Sequence, residues 1–72
     1  MKKYYKIVVD CPSCAHMMES ATSKTPGVKD TEVSFMMQKM MVEFEGGYDP
    51  RMVMKEVLSN CRKYVKGCDI DF

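Results

Sequence analysis

The sequence lacks the long apolar runs that mark membrane-inserted or exported chains. No apolar run exceeds three residues, as in Ile7-Val8-Val9, whereas a membrane-spanning helix needs about 20 and the apolar part of a signal peptide at least about 7. Tryptophan is absent, and the sequence holds only four glycines and three prolines, too few for a collagen-like or linker segment. We therefore expect a soluble domain without direct membrane contact.

An excess of charge of either sign is also missing. Lys and Arg number 11 against 10 Asp and Glu, a net charge of +1. Nucleic-acid binding depends on many cationic contacts to phosphates, so the balance of charge argues against a nucleic-acid partner.

The length and composition predict one folded unit. The chain has 72 residues, of which 46% are hydrophobic and 29% charged, and folded domains begin at about 50 residues. We expect a single domain over residues 1–72 that is most simply a monomer. Beyond the cysteines described below, no pair of residues suggests a nucleophile and its base, so we expect no enzyme.

Hydrophobic periodicity predicts four strands and two helices. Alternation predicts strands over Lys3–Val9, Val28–Met36, residues 40–45 and Cys68–Phe72. Helical spacing predicts one helix from Cys14 to about Lys24, closed by Thr25-Pro26-Gly27, and a second from Pro50, capped by Asp49, to Arg62 or Lys63.

The resulting order is βαββαβ, with each helix apolar along one side only. An antiparallel four-stranded sheet with both helices on one face would bury both apolar stripes. We therefore predict an α+β fold, a ferredoxin-like βαββαβ sandwich.

Two cysteines are spaced as Cys11-Pro12-Ser13-Cys14 at the first strand-to-helix junction. The thiolate form of cysteine binds metal, and the partial positive charge of a helix N-terminus favours that form. Without an export signal, we expect a cytoplasmic chain in which this spacing indicates metal or redox chemistry.

With these features in place, the whole chain resembles a heavy-metal-associated domain, the small module of metallochaperones and of the N-terminal regions of metal-transporting P-type ATPases. The resemblance implies that Cys11 and Cys14 are metal ligands. It also implies that the domain passes its ion to a metal-transporting P-type ATPase or to that ATPase's cytosolic domains. The sequence leaves open whether it is a free chaperone or part of such an ATPase.

Asp10 departs from the resemblance, because copper-handling members usually carry Gly-Met and then Thr or His before the first cysteine, where this chain has Val8-Val9-Asp10. A hard carboxylate suits Zn(II) or Cd(II) better than soft Cu(I), and an Asp at this position resembles the zinc, cadmium and lead branch. We therefore expect Asp10 as a third ligand and Zn(II) or Cd(II) as the ion, with Cu(I) as the alternative. The alternative is that Asp10 only caps the first helix or ends the first strand.

Four further residues are weaker candidates. Cys61 and Cys68 could add thiolates or pair as a disulfide, but both fall on inward-facing positions where cysteine packs as a small apolar residue. Lys63 or Tyr64, which follow Arg62 where many members carry Gly-Tyr or Gly-Phe, could lie beside the thiolates and stabilise them, or could simply belong to a basic helix end.

The methionines and the histidine are weaker candidates for metal ligands than the cysteines. Nine methionines suggest copper, since thioethers select Cu(I), but Met18, Met40 and Met54 fall on predicted buried positions. Met36 and Met37 are expected near an exposed turn, and His16 is expected to point away from the ion. Two other functions remain open: a thiol-disulfide redox protein, and a structural zinc module that uses all four cysteines.

Overall fold

The computed structural model describes residues 2–72, so Met1 of the predicted domain lies outside the described residues. The chain follows the predicted βαββαβ order. Its elements are β1 (Lys2–Val8), α1 (Pro12–Ser23), β2 (Val28–Ser34), β3 (Lys39–Phe44), α2 (Pro50–Tyr64) and β4 (Asp69–Asp71).

The four strands form one antiparallel sheet in the order β2-β3-β1-β4. The central strand β1 pairs with β3 from Lys2↔Glu43 to Lys6↔Lys39, and with β4 from Lys6↔Asp71 to Val8↔Asp69. The end of β1 therefore lies between the β2–β3 turn and the connection that leads from α2 into β4.

Both helices cover the same face of the sheet, as predicted. In β1, Ile7 is buried while Lys6 and Val8 on either side of it are exposed, and the same alternation runs through β3 and β4. The inward side chains of the strands and helices, with three residues that adjoin them, form one core cluster: Ile7, Val9, Ala15, Met18, Ala21, Met40, Val42, Phe44, Val53, Met54, Val57, Cys61, Val65, Cys68 and Ile70. The opposite face of the sheet carries the alternate, mostly exposed residues.

The two buried threonines of the α1 region find partners inside the fold. Thr22 Oγ1 donates to the Met18 carbonyl at 2.7 Å, and Thr25 Oγ1 donates to the Ala21 carbonyl at 3.0 Å. Asn60 of α2 donates its side-chain amide to Thr25 Oγ1 at 3.0 Å. Every buried side-chain nitrogen and oxygen among the described residues has a hydrogen-bond partner, so the polar stripe of α1 costs no unpaired group.

Several predicted boundaries are wrong by one or two residues. Strand β2 ends at Ser34 instead of Met36, because residues 35–38 form a turn in which Gln38 N–H donates to the Phe35 carbonyl at 3.3 Å. Helix α1 starts at Pro12, two residues before Cys14, because proline is well suited to the first helical position. In the last segment only residues 69–71 form a strand, and Phe72 is 45% exposed.

Candidate functional site

Cys11 and Pro12, at the start of α1, determine the shape of the loop between β1 and α1. Cys11 is the N-cap, with extended backbone angles, and Pro12 takes the first helical position. The Cys11 sulfur accepts the backbone N–H of Cys14 at 3.2 Å, and the Cys11 carbonyl accepts the N–H of Ala15 at 3.0 Å. A cysteine therefore does here what Ser or Asp does at most helix starts.

The capping geometry brings the two sulfurs of the motif together. The structure joins Cys11 and Cys14 as a disulfide, with Cα atoms 5.2 Å apart. Both residues are half-buried, and the intervening Pro12 and Ser13 are exposed. The pair thus lies at the surface, at one end of the molecule.

The electrostatic setting of this end favours anions. The first turn of α1 contains no acidic residue, so the partial positive charge of the helix N-terminus acts on the sulfurs without an opposing charge from that turn. When the pair is reduced, two thiolates at this position form a soft, charged, two-donor site for a metal ion. When it is oxidised, the same pair offers no thiolate.

Asp10 lies next to the pair but does not cap the helix, because Cys11 holds that position. Its side chain is exposed. Within residues 2–72, no group of three His, Cys, Asp or Glu side chains is arranged to hold a metal ion. The structure therefore brings together Cys11 and Cys14 and leaves the Asp10 carboxylate outside the pair.

Cys61 and Cys68 are in the core, with 0% and 2% of their surface exposed, and both are free thiols. The Cys61 sulfur lies 3.6 Å from both the Met18 carbonyl and Thr22 Oγ1. Burial raises the pKa of the Cys61 thiol, and burial likewise raises the pKa of the Cys68 thiol. The structure thus supports the packing interpretation of both cysteines and does not join them as a disulfide.

Lys63 and Tyr64 end α2 with exposed side chains. The Tyr64 side chain lines a shallow depression with Met17, Ser20 and Lys24 of the α1 region. It therefore reaches towards the flank of α1.

The methionines and the histidine lie where the pattern predicted. Met18, Met40 and Met54 are fully buried, whereas Met36 and Met37 in the β2–β3 turn are 90% and 64% exposed. His16 is exposed.

Sequence reasoning missed Gln38, which connects the β2–β3 turn to the chain that leads into the cysteine loop. Its backbone carbonyl accepts the N–H of Ile7 at 2.9 Å, and its side-chain oxygen accepts the N–H of Val9 at 2.9 Å. A glutamine in a turn carries no sequence signal for such a role, because the contact joins residues 29 positions apart.

No family model and no curated protein matches the sequence, but several solved structures match its fold along nearly the whole chain. The CopZ metallochaperone is 15% identical with a TM-score of 0.74, and the match covers 99% of this chain and 100% of that one. The N-terminal domain of PacS from Synechocystis PCC6803 is 21% identical with a TM-score of 0.72, covering 99% and 94%. The N-terminal domain of ZntA in its apo-form is 24% identical with a TM-score of 0.67, covering 97% and 88%.

These structures are heavy-metal-associated domains, so the fold implied by the sequence resemblance is confirmed. Among residues 2–72, neither helix combines the length and apolar character that crossing a membrane requires.

Proposed function

We propose that this chain binds a soft or borderline metal ion through Cys11 and Cys14 and passes it to a partner protein. The observation that carries the proposal is the pairing of these two sulfurs at the exposed N-terminus of α1. The matching structures support it, since they include a metallochaperone and a copper-binding domain of a P-type ATPase.

Transfer requires an ion that is held but remains accessible. Two protein thiolates leave coordination positions of a divalent ion open, and a donor from a receiving protein can occupy them. Because both cysteines are only half-buried and the intervening Pro12 and Ser13 are exposed, an incoming ligand reaches the site without unfolding the domain. Apart from the cysteine pair itself, residues 2–72 suggest no nucleophile with its base for covalent chemistry on a substrate, so the proposed role is carriage and not catalysis.

Asp10 makes Zn(II) or Cd(II) the proposed cargo. Its carboxylate is exposed, adjoins Cys11 and is not used as the helix cap, so we assign it as the third donor to the ion. Two thiolates and one carboxylate carry three negative charges, which a divalent ion balances better than Cu(I). Without Asp10 the same pair suits Cu(I), the alternative cargo.

The proposed partner is a metal-transporting P-type ATPase, or its cytosolic domains, in the cytoplasm. Supporting structures are the N-terminal domains of PacS and ZntA and the domain of HMA7, a P-type ATPase. Lys63 and Tyr64, at the end of α2, are proposed to contribute to the surroundings of the loaded site.

Competitive titration of the reduced protein with Zn(II), Cd(II) and Cu(I) tests the cargo. Asp10→Ala is expected to weaken Zn(II) and Cd(II) binding by about 10-fold or more and to leave Cu(I) binding nearly unchanged. Asp30→Ala is the matched control, because Asp30 is also exposed but lies on β2, away from the cysteines. Equal losses for all three ions, or no loss, would show that Asp10 does not select the metal.

The disulfide itself favours a second candidate function, a thiol-disulfide redox protein. The reduction of insulin disulfides separates the two. A carrier is expected to reduce insulin no faster than a small dithiol at the same concentration, whereas a redox protein would exceed that rate.

A further inference from the structure

We infer that Gln38 is a positioning residue for the metal site, fixing the loop that carries Cys11 through its side-chain hydrogen bond to Val9. The inference rests on the proposed function and adds a residue outside the cysteine loop to it. Three observations carry it: the backbone conformation of Gln38, its three-way hydrogen bonding, and the burial of Val9.

Gln38 has a backbone conformation that residues with a side chain rarely adopt. Its φ is +51°, and among the described residues it is the only non-glycine residue with positive φ. Glycine and asparagine are the usual residues in this left-handed region. A glutamine here indicates that its side chain compensates for the less favourable backbone.

The side chain is held by bonds at both ends of its amide. Its Nε2 donates to the Phe35 carbonyl at 2.8 Å, and its Oε1 accepts the Val9 N–H at 2.9 Å. The Gln38 backbone carbonyl meanwhile accepts the Ile7 N–H at 2.9 Å. One residue therefore binds two alternate N–H groups of the chain that leads into the cysteine loop.

These bonds lie where the sheet ladder stops. The pairing of β1 with β3 ends at Lys6↔Lys39, because the preceding chain turns away over residues 35–38. The Gln38 amide oxygen takes the place of the next main-chain carbonyl and extends the ladder along β1 beyond β3.

The burial of Val9 explains why its hydrogen bond to the Gln38 side chain matters. Val9 is only 6% exposed and lies two residues before Cys11. A buried N–H without a partner is unfavourable. If the Gln38 oxygen is lost, the segment around Val9 is expected to move so that the Val9 N–H can bond to water. The chain that leads into Cys11 is then no longer held in one position, and neither is the Cys11 sulfur that caps α1.

Two substitutions separate positioning from folding. Gln38→Gly removes the side chain while suiting the positive φ; because the relief of the backbone offsets the lost hydrogen bonds, the urea midpoint is expected to stay near that of the parent. Zn(II) affinity is expected to fall by about 10-fold or more, with faster Zn(II) loss to a chelator and faster amide exchange at Val9. Gln38→Glu keeps an acceptor for Val9 but loses the Nε2 donor to the Phe35 carbonyl, so its Zn(II) affinity is expected to fall less than that of Gln38→Gly.

Met37→Ala is the control, because Met37 lies in the same turn with its side chain 64% exposed, and it should leave Zn(II) affinity and Val9 exchange unchanged. The inference is overturned if Gln38→Gly binds and releases Zn(II) like the parent, or if Gln38→Glu is as defective as Gln38→Gly. A parent protein that binds neither Zn(II) nor Cu(I) would instead refute the proposed function. In that case Val9 amide exchange still decides whether Gln38 holds the loop, and unchanged exchange in Gln38→Gly overturns the inference.

Discussion

At the scale of single residues, the four cysteines divide into two kinds by their surroundings. Cys11 and Cys14 are half-buried at a helix N-terminus, while Cys61 and Cys68 are enclosed by the core. Cysteine chemistry follows the accessibility and stability of the thiolate. The first pair is therefore placed for metal or redox chemistry, and the second pair behaves as small apolar residues.

The Cys61 thiol makes the free energy of unfolding depend on pH in the alkaline range. Burial raises its pKa above the ordinary value of 9.0, so between the unfolded and the folded pKa the folded state holds more protons. The free energy of unfolding is thus expected to decrease as pH rises above 9.0, and this thiol's contribution is intact below that value.

Urea unfolding with a reductant, at pH values from about 7 to about 10.5, measures this dependence. Cys61→Ala is expected to be less stable at neutral pH but to lose less stability with rising pH than the parent. Ser23→Ala removes an exposed hydroxyl and no titrating group, so it should follow the parent's slope. A Cys61→Ala slope as steep as the parent's would contradict the assignment.

At the scale of elements, the connections determine how the helices are set against the sheet. The predicted Thr25-Pro26-Gly27 closure of α1 is confirmed, since the helix ends at Ser23 with Lys24 as its cap. Gly27 follows with φ +95°, and its carbonyl accepts the N–H of Glu45 at 2.8 Å. This turn ties the end of α1 to the end of β3.

Gly27 is expected to tolerate no side chain. A Cβ there would lie 2.7 Å from Val53 Cγ2 and 2.9 Å from the Tyr48 ring, on top of the positive φ. Gly27→Ala should lower the free energy of unfolding by about 2–4 kcal/mol, combining backbone strain with overpacking.

Gly67 provides the matched comparison, because it has φ +83° but open space where a Cβ would lie. Gly67→Ala should cost about 1–2 kcal/mol from the backbone alone. Urea unfolding of the two variants measures the difference, and equal losses would mean that Val53 and Tyr48 give way without cost.

At the scale of the whole molecule, the core and the site are separate. The core cluster includes Cys61 and Cys68, whereas Cys14 only packs against it and Cys11 is not part of it. We therefore expect the fold to form without a bound ion and without the thiols of Cys11 and Cys14. This separates the proposed carrier from a structural zinc module, whose folding free energy comes from the metal.

Removal of metal tests this separation. Far-UV circular dichroism of the reduced protein in excess chelator is expected to match that of the zinc-loaded protein. A Cys11→Ser, Cys14→Ser double variant should fold equally well, since serine also suits the N-cap position. Loss of the helical signal in chelator would instead assign a structural role to the metal.

The sequence by itself determined the order of elements, the identity of the inward faces and the position of the cysteine pair. These depend on local periodicity and on spacing within a few residues, as in Tyr5 and Ile7 on β1 or Asp49 before α2. Only the tertiary structure decided the contact of Thr25 with Asn60, the contact of Cys61 with Thr22 and the contact between Gln38 and Val9. Each of these joins residues at least 29 positions apart, and such contacts arise from the packing of whole elements, which local pattern does not encode.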